Sequence, residues 1–280
     1  MMLSNRSSFA ELIALFFYVS LAYTTSQATA ATTCNVSSPN TVASAPTFNI
    51  PATPGDDRLC AATFVQAVHT ENAVVHLASG ASINLSDYPN TPVAAGVQII
   101  GDASGIAPLI YMTNLSRTLL QVNGSDNVRI SGLMLRGAEN DDPFFAAVED
   151  PESDAISVDS SRHLEIDHCE ISHWSGSGIV VRDTQRRVGV SNADEVWIHD
   201  NFIHSNNHPT SRNDGTVVTI VGSHHGAGYG VQLSKGGDAL IERNVFNNNR
   251  HDVAGDGGEG TGYLFYRNLL LSDGGVNAAS

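Results

Sequence analysis

The second half of the chain repeats one short pattern of apolar and polar positions. Two apolar residues, spaced two apart, are followed by a polar corner and then by another apolar position. Apolar residues at every second position indicate strands that bury one face. The pattern recurs in five segments: Val128–Leu135, Leu164–Ile171, Val196–Ile203, Ala239–Phe246 and Tyr263–Leu270. Such repetition predicts a solenoid, a stack of similar coils.

The polar corner supports this prediction. The sixth positions of the five segments are Leu133, Cys169, Asn201, Asn244 and Asn268. Asparagine suits a left-handed turn, and stacked side-chain amides can hydrogen-bond from one coil to the next. The segments begin 36, 32, 43 and 24 residues apart, so the strands repeat while the connecting loops vary in length. Cys169 shares the asparagine column and is expected to be buried and unreactive.

Shorter signals of the same kind precede the repeats. Strands are predicted at Val74–Leu77, Ile83–Leu85, Val97–Ile100, Leu109–Tyr111 and Leu119–Val122. Between Ala61 and His69, apolar residues fall at helical spacing, which predicts a short helix. A solenoid needs a cover for its first coil, because that coil has no neighbour on one side. The helix is therefore predicted as an N-terminal cap.

The stretch from Val74 to Gly137 resembles the opening coils of the pectate-lyase-like right-handed parallel β-helix superfamily. Gly96–Asp102 fits a Gly-x-x-Ile-Ile-Gly-x unit, and Val128–Leu135 fits a Val-x-Ile-x-Gly-Leu-x-Leu rung. The likeness extends over about residues 61–271. It implies an all-β, right-handed parallel β-helix with three strands in each coil and the asparagine corner between the second and third. That fold hosts lyases, hydrolases, epimerases and non-catalytic adhesins, so the resemblance selects no reaction.

The N-terminal 30 residues predict a secretory signal peptide. Arg6 precedes an apolar run from Phe9 to Ala22, which is short for a membrane span, and Ala28-Thr29-Ala30 offers a cleavage site. An uncleaved anchor is the alternative. Residues 31–60 are predicted as an extended lead-in and residues 61–280 as the β-helix domain. The mature protein is expected to be secreted and extracellular, periplasmic or at the cell surface, without stable membrane insertion.

Export would allow disulfide formation between cysteines and glycosylation of asparagines. In an oxidising compartment Cys34 and Cys60 are predicted to form a disulfide over the N-terminal end. The mature chain also carries four glycosylation sequons, at Asn35, Asn84, Asn114 and Asn123.

Charge narrows the choice of partner. The chain has 14 basic and 29 acidic residues and a formal net charge of −15. Nucleic acid is a poor partner, because binding to phosphates needs clustered Lys and Arg. A polysaccharide or another glycan is the expected partner, and a polyanionic one would call for a bridging cation. Calcium is therefore a possible cofactor.

Chemistry is expected on the first strand of each coil. By the superfamily pattern, these strands are Asp154–Asp159, Ser177–Arg182, Tyr229–Ser234 and His251–Asp256. Their central residues Ile156, Ile179, Val231 and Val253 should point inward and the flanking residues outward. Stacking then gives two columns, one of Asp154, Ser177, Tyr229 and His251, the other of Asp159, Arg182, Ser234 and Asp256.

Four residues on this face are the catalytic candidates. Tyr229 and His251 could exchange protons near neutral pH, Arg250 could neutralise a developing anion, and Asp256 could orient an imidazole. Asp256 and Asp252 are the candidate metal ligands. Substrate binding is predicted for His224, His225, Arg182, Gln232 and Lys235, since the excursion between Ile203 and Tyr229 ends beside these columns.

Three functions remain open at this point. The leading one is a polysaccharide lyase, in which His251 or Tyr229 abstracts the proton and Arg250 stabilises the anion. A glycoside hydrolase would instead pair Asp256 with Asp252 or Asp159. The third is a non-catalytic glycan-binding or adhesive surface protein, whose polar columns are only solvated surface. The Arg-x-Pro-x-x-Arg motif of the superfamily's pectate lyases and the paired aspartates of its polygalacturonases are absent.

A second polar column is predicted on the next strand of the coil. It contains Asp167, His199 and Glu242, with charged residues beside each of them. Alternating signs in stacked coils favour ion pairs between coils, and calcium between the carboxylates is the alternative.

Overall fold

The structure, a computed structural model, describes residues 45–53, 55–114, 116–138, 152–184, 196–207 and 227–271. Within these ranges the chain forms three parallel β-sheets and one short helix. The predicted all-β parallel solenoid with an N-terminal helix is therefore confirmed. None of the helical structure in these ranges has the length and apolar character that a membrane crossing requires.

Each complete coil adds one strand to each sheet, and the sheets are numbered in their order along a coil. Sheet 1 contains β4 (Thr91–Pro92), β7 (Thr118–Asn123), β10 (Asp154–Asp159), β13 (Ser177–Arg182), β16 (Tyr229–Ser234) and β19 (His251–Gly255). Sheet 2 contains β1 (Thr47–Ile50), β2 (Val74–Leu77), β5 (Gln98–Gly101), β8 (Arg129–Ser131), β11 (Leu164–Asp167), β14 (Val196–His199), β17 (Asp238–Glu242) and β20 (Gly262–Tyr266). Sheet 3 contains β3 (Ser82–Asn84), β6 (Leu109–Tyr111), β9 (Met134–Arg136), β12 (Glu170–Ser172), β15 (Phe202–His204), β18 (Val245–Asn247) and β21 (Leu269–Leu270).

The helix α1 (Ala61–Val68) has its apolar face in the core. Ala61, Phe64, Ala67 and Val68 are each at most 1% exposed. Strand β1 lies within the predicted lead-in and pairs with β2, so sheet 2 begins before the helix and earlier than residue 61. Cys60 is buried next to the helix. Cys34 lies outside the described residues, and its pairing with Cys60 stays a prediction, as does the signal peptide.

The core is a stack of aliphatic side chains, one level for each coil. Ile130, Ile166, Ile198 and Ile241 occupy equivalent positions of sheet 2, and all are fully buried. Because each apolar side chain packs on the same kind of side chain above and below, the register of neighbouring strands is strongly specified. This register is what fixes the position of every outward side chain.

The asparagine corner is built as predicted in one respect and differently in another. The side-chain amide of Asn201 donates to Asn244 Oδ1 at 2.9 Å, and that of Asn244 donates to Asn268 Oδ1 at 3.1 Å. The left-handed residues, however, are Asp200, Arg243 and Arg267, directly before each asparagine. The asparagines themselves are not left-handed. Their side chains bond the peptide groups of the adjacent coils.

A second asparagine pair was not predicted. The side-chain amide of Asn206 donates to Asn249 Oδ1 at 2.9 Å, and its oxygen accepts from the backbone N–H of Trp174 at 3.1 Å. It joins sheet 3 to sheet 1, one corner further along the coil. Cys169 is buried at the end of the first ladder, and burial raises the pKa of its thiol to about 12. The expected burial of Cys169 is thus confirmed, and its lack of reactivity stays a prediction.

One expectation about sheet 1 is wrong. The residues that precede the inward-pointing Ile156 and Ile179 do not face outward. Ala155 is fully buried in the core, and a Cβ on Gly178 would lie 3.2 Å from Ile171 Cγ2. The strand pairing passes from Asp154–Ser177 directly to Ile156–Ile179. Two consecutive residues of each strand therefore face the core at this point.

Candidate functional site

The outer face of sheet 1 carries polar side chains in register across four coils. Asp154 pairs with Ser177, Ser177 with Tyr229, and Tyr229 with His251. The predicted first column is therefore confirmed as a structural feature. Neighbouring members are about 4.8 Å apart along the stack, as for any adjacent parallel strands. Ser177 is only 1% exposed and Tyr229 and His251 are partly exposed, so a ligand lying along the stack would contact the Tyr229–His251 end of the column.

Tyr229 and His251 form an aromatic pair at one end of this column. Their ring centroids are 5.6 Å apart and the ring planes differ by 17°, so the rings are stacked. Both side chains are partly exposed. An offset stack of this kind is favourable and holds both polar groups in fixed positions. The sequence placed these two residues together correctly, because strand register alone sets their contact.

Arg250 and burial both act on the imidazole. The pKa of His251 is lowered, first by burial and then by the positive charge of Arg250. The ring is consequently more often neutral at a given pH and able to accept a proton. Arg250 itself donates to the Ala227 carbonyl at 3.4 Å. Its guanidinium thus lies next to the column and is only partly buried.

The two aspartates predicted as metal ligands bond to different groups. Asp256 is exposed, and its carboxylate accepts from the backbone N–H of Lys235 and of Gly258, which lowers its pKa. The Asp252 carboxylate accepts from the Asn249 side chain at 2.9 Å, while burial raises its pKa. Asp256 stabilises a turn, and Asp252 is turned toward the asparagine corner.

Three of the residues predicted to bind substrate lie within the described residues: Arg182, Gln232 and Lys235. Arg182 donates to Ser157 Oγ at 3.3 Å, and Gln232 accepts from Ser177 Oγ at 3.0 Å. Lys235 is exposed at the turn after β16. His224 and His225 lie outside the described residues.

Asp154 was placed in the column by the sequence but was not recognised as a titrating group. Its carboxyl is largely buried, and this burial raises its pKa to about 6, although the positive charge of Arg182 and hydrogen bonds from Ser177 act in the opposite direction. Gly176 makes room for it, since a Cβ there would lie 2.6 Å from Asp154 Oδ1. Nothing in the sequence around Asp154 indicates that its carboxyl is buried.

Sheet 2 carries the predicted ion pairs on its outer face. Arg129 donates to both oxygens of the fully buried Asp167 at 2.9 Å. Burial alone would raise the pKa of Asp167, but hydrogen bonds from Arg129 and His168 outweigh it and the pKa is lowered. Arg243 likewise donates to Asp200 at 2.9 Å and lowers the pKa of that carboxyl to about 2. These contacts all join adjacent coils or adjacent residues.

The same network contains a possible set of metal ligands. Among the described residues, Glu165, Asp167 and His199 offer ligand atoms that lie within 4.8 Å of one another. Their hydrogen-bonding capacity is already in use, because Arg129 bonds both Asp167 oxygens and Glu165 contacts His199 Nε2 at 3.2 Å. The arrangement fits an ion-pair network better than a cation site.

The coils stack so that their strands form three parallel sheets. Together with the bonded asparagine corner and the polar outer face of sheet 1, this arrangement defines a parallel β-helix protein. A family model described as "Right handed beta helix region" matches residues 118–269. That is more than half of the 280-residue chain, and the chain belongs to this family. Neither the curated proteins nor the solved structures contain a match.

Proposed function

We propose that this β-helix is an exported enzyme that cleaves a polysaccharide by β-elimination along the outer face of sheet 1. The observation that carries the proposal is the stacked Tyr229–His251 pair beside Arg250, in register with Ser177 and Asp154. It places a proton acceptor, a proton donor and a cation on one rigid surface.

Elimination assigns a separate task to each of the three groups. The neutral imidazole of His251 would take the proton from the carbon next to a sugar carboxylate. The Arg250 guanidinium would stabilise the enolate-like anion that then develops. The Tyr229 hydroxyl would protonate the departing glycosidic oxygen. The lowered pKa of His251 supports this assignment, because a base must be unprotonated when the substrate arrives.

The reaction requires a substrate with a uronic acid. Only a carbon next to a carbonyl group loses its proton readily enough for this chemistry. The net charge of −15 opposes a polyanion at long range, but Arg250 and Arg182 supply positive charge on this face. A groove can have a local potential that differs from the net charge of the protein.

Hydrolysis is less well supported by the positions of the carboxylates. Asp159 and Asp256 are three coil steps apart, roughly 14 Å at about 4.8 Å per step. Glycosidase carboxylate pairs are separated by about 5.5 Å or by roughly 6.5–9.5 Å. Asp252, the other partner for Asp256, accepts a hydrogen bond from the Asn249 side chain at the asparagine corner.

The decisive test is an assay of the purified protein on uronic-acid and neutral polysaccharides, with and without EDTA. Ultraviolet absorbance of an unsaturated product and the release of reducing ends are followed together. We expect both signals on a uronic-acid polymer, and a loss of at least about a hundredfold in His251→Ala, since positioned acid–base groups contribute about 10²–10⁴-fold.

His204→Ala is the matched control for this variant. His204 contacts Glu170 at 3.2 Å on sheet 3, away from the column, and its replacement should leave the rate unchanged. Reducing ends without absorbance would replace elimination by hydrolysis. Retention on a glycan column without any product would make the stacked pair a sugar-binding platform. Loss of the signals with EDTA, and their recovery on adding calcium but not magnesium, would establish a need for calcium.

A further inference from the structure

Asn123 lies at the end of strand β7 in sheet 1 and begins the glycosylation sequon Asn123-Gly124-Ser125. It pairs in register with Asp159, which pairs with Arg182 on the next coil. Asn123 therefore extends the second polar column of this face by one coil, and it is exposed. The polysaccharide cleavage proposed above makes no use of it.

The turn after Asn123 leaves room for an attached sugar. Gly124 is exposed and has a left-handed backbone, with φ at 64°. In the described part of the chain, a Cβ on Gly124 would meet no atom within 4 Å apart from its chain neighbours. An N-linked glycan is bulky and hydrophilic, so it requires open surroundings of this kind.

The sequon Asn84-Leu85-Ser86 provides the contrast within the same chain. Asn84 also ends a strand, β3, but it is only 9% exposed. Its side-chain amide donates to the Tyr111 hydroxyl at 3.1 Å, and that hydroxyl donates to the Asp57 carboxylate. Leu85, the next residue, is fully buried in the core. A sugar on the Asn84 nitrogen would disrupt these hydrogen bonds and take polar groups out of water.

The other two sequons allow a less direct comparison. Asn114 is partly buried, and its amide donates to the Ser86 carbonyl at 2.8 Å. Asn35 lies outside the described residues. The two sequons that differ most in structure are therefore those of Asn84 and Asn123.

We propose that Asn123 carries an N-linked glycan in the exported protein and that Asn84 does not. The inference rests on the export that the proposed function includes. The sugar is added before the chain folds, so both asparagines are accessible to the transferase. Folding then selects between them. A chain modified at Asn84 would not form the hydrogen bonds around Tyr111, and cells retain and degrade chains that fail to fold.

The modification is the transfer of an oligosaccharide from a lipid-linked diphosphate donor. The Asn123 amide nitrogen displaces the lipid diphosphate from the first sugar. A carbon–nitrogen bond forms, the sugar–phosphate bond breaks, and the nitrogen loses one proton as the lipid diphosphate leaves. The exporting cell supplies both the donor and the transferase.

The proposed glycan would share a face with Tyr229 and His251 without covering them. Asn123 is three coil steps from Tyr229, roughly 14 Å at about 4.8 Å per step, and one step further from His251. Asn123 also ends its strand, whereas Tyr229 and His251 begin theirs. The modification is therefore compatible with the proposed reaction.

Secretion of the full chain from cultured eukaryotic cells tests the proposal. Protein from the medium is digested, and its glycopeptides are identified by mass spectrometry before and after treatment with a peptide-N-glycosidase. We expect a glycan on the peptide that contains Asn123 and none on the peptide that contains Asn84. Asn123→Gln should lower the mass of the intact protein by one glycan.

Ser86→Ala is the matched control, because it removes the sequon of Asn84 and leaves the buried Asn84 amide in place. It should not change the glycan mass. A secreted protein with unmodified Asn123, or with a glycan on Asn84, would overturn the proposal.

A second version of the chain separates this result from a failure of export. In it, residues 1–30 are replaced by the leader of another secreted protein. If only this version reaches the medium, the predicted signal peptide is wrong, and the peptides of the secreted protein still decide whether Asn123 or Asn84 is modified.

Discussion

Replacing Asn244 by alanine should destabilise the protein more than the same change at Asn268, the exposed end of the corner ladder. Asn244 is 1% exposed. Its amide donates to the Ile198 carbonyl at 2.9 Å, and its Oδ1 accepts from the Asn201 backbone N–H at 3.0 Å. Alanine removes the side chain, so the Ile198 carbonyl and the Asn201 N–H each lose a hydrogen-bond partner. A buried peptide group left without a partner costs about 1–3 kcal/mol, so two such groups predict a loss of roughly 2–6 kcal/mol.

Asn268→Ala is the matched control, because Asn268 makes the same kinds of contact at the exposed end of the ladder. Its amide donates to the Ile241 carbonyl at 2.8 Å, and it accepts from the Asn244 N–H at 2.9 Å. Asn268 is only partly buried, and water can replace some of its bonds. We expect about 1 kcal/mol there, the net value of one ordinary hydrogen bond.

Equilibrium unfolding in urea, monitored by circular dichroism, gives both free energies. The slope with denaturant should be similar for the two variants, since the surface exposed on unfolding is nearly unchanged. If Asn244→Ala loses no more stability than Asn268→Ala, burial does not govern the strength of the ladder and the reasoning fails.

Two further predictions concern Cys169 and Asp154. Cys169→Asn should keep or raise the melting temperature, because the new amide can donate to the Ile130 carbonyl, which lies 3.7 Å from Sγ in the natural protein. Cys169→Val, the control, should not raise it. A lower melting temperature for the asparagine variant would show that the ladder of side-chain amides cannot extend to position 169. Asp154 has its pKa raised from 3.8 to about 6, so the folded state binds more protons than the unfolded state between these values and stability should fall as pH rises from about 4 to about 6. Urea unfolding against pH should show this fall in the natural protein and a flatter curve in Asp154→Asn; equal slopes would contradict the assignment.

The repeat in the sequence predicted the parts of the fold that depend on strand register. The contact between Tyr229 and His251, like the ladder from Asn201 to Asn268, follows from aligning segments of equal length. Stacking in a solenoid requires only that equal positions lie one above the other. A single sequence with a clear period therefore contains this information.

Features that depend on local geometry were not predictable in the same way. The inward position of Ala155 and Gly178 breaks the simple alternation of a strand. The left-handed residues before the asparagines are chemically diverse, and they include Asp200 and Arg243. Burial of Asp154 depends on surroundings distant in sequence. Each of these requires coordinates, because no periodic pattern encodes it.

The constant step between coils sets the distances between the side chains that a polymer lying along sheet 1 can contact. Side chains in one column can be separated only by whole multiples of about 4.8 Å. Asp154 is three steps from His251, and no loop change can alter that value gradually. Deleting the coil that supplies Ser177 would instead bring Asp154 directly beside Tyr229. The spacing of chemical groups in this fold therefore changes by whole coils. The repeating units of a ligand whose repeat length is not a multiple of this step would not align with successive side chains of the column.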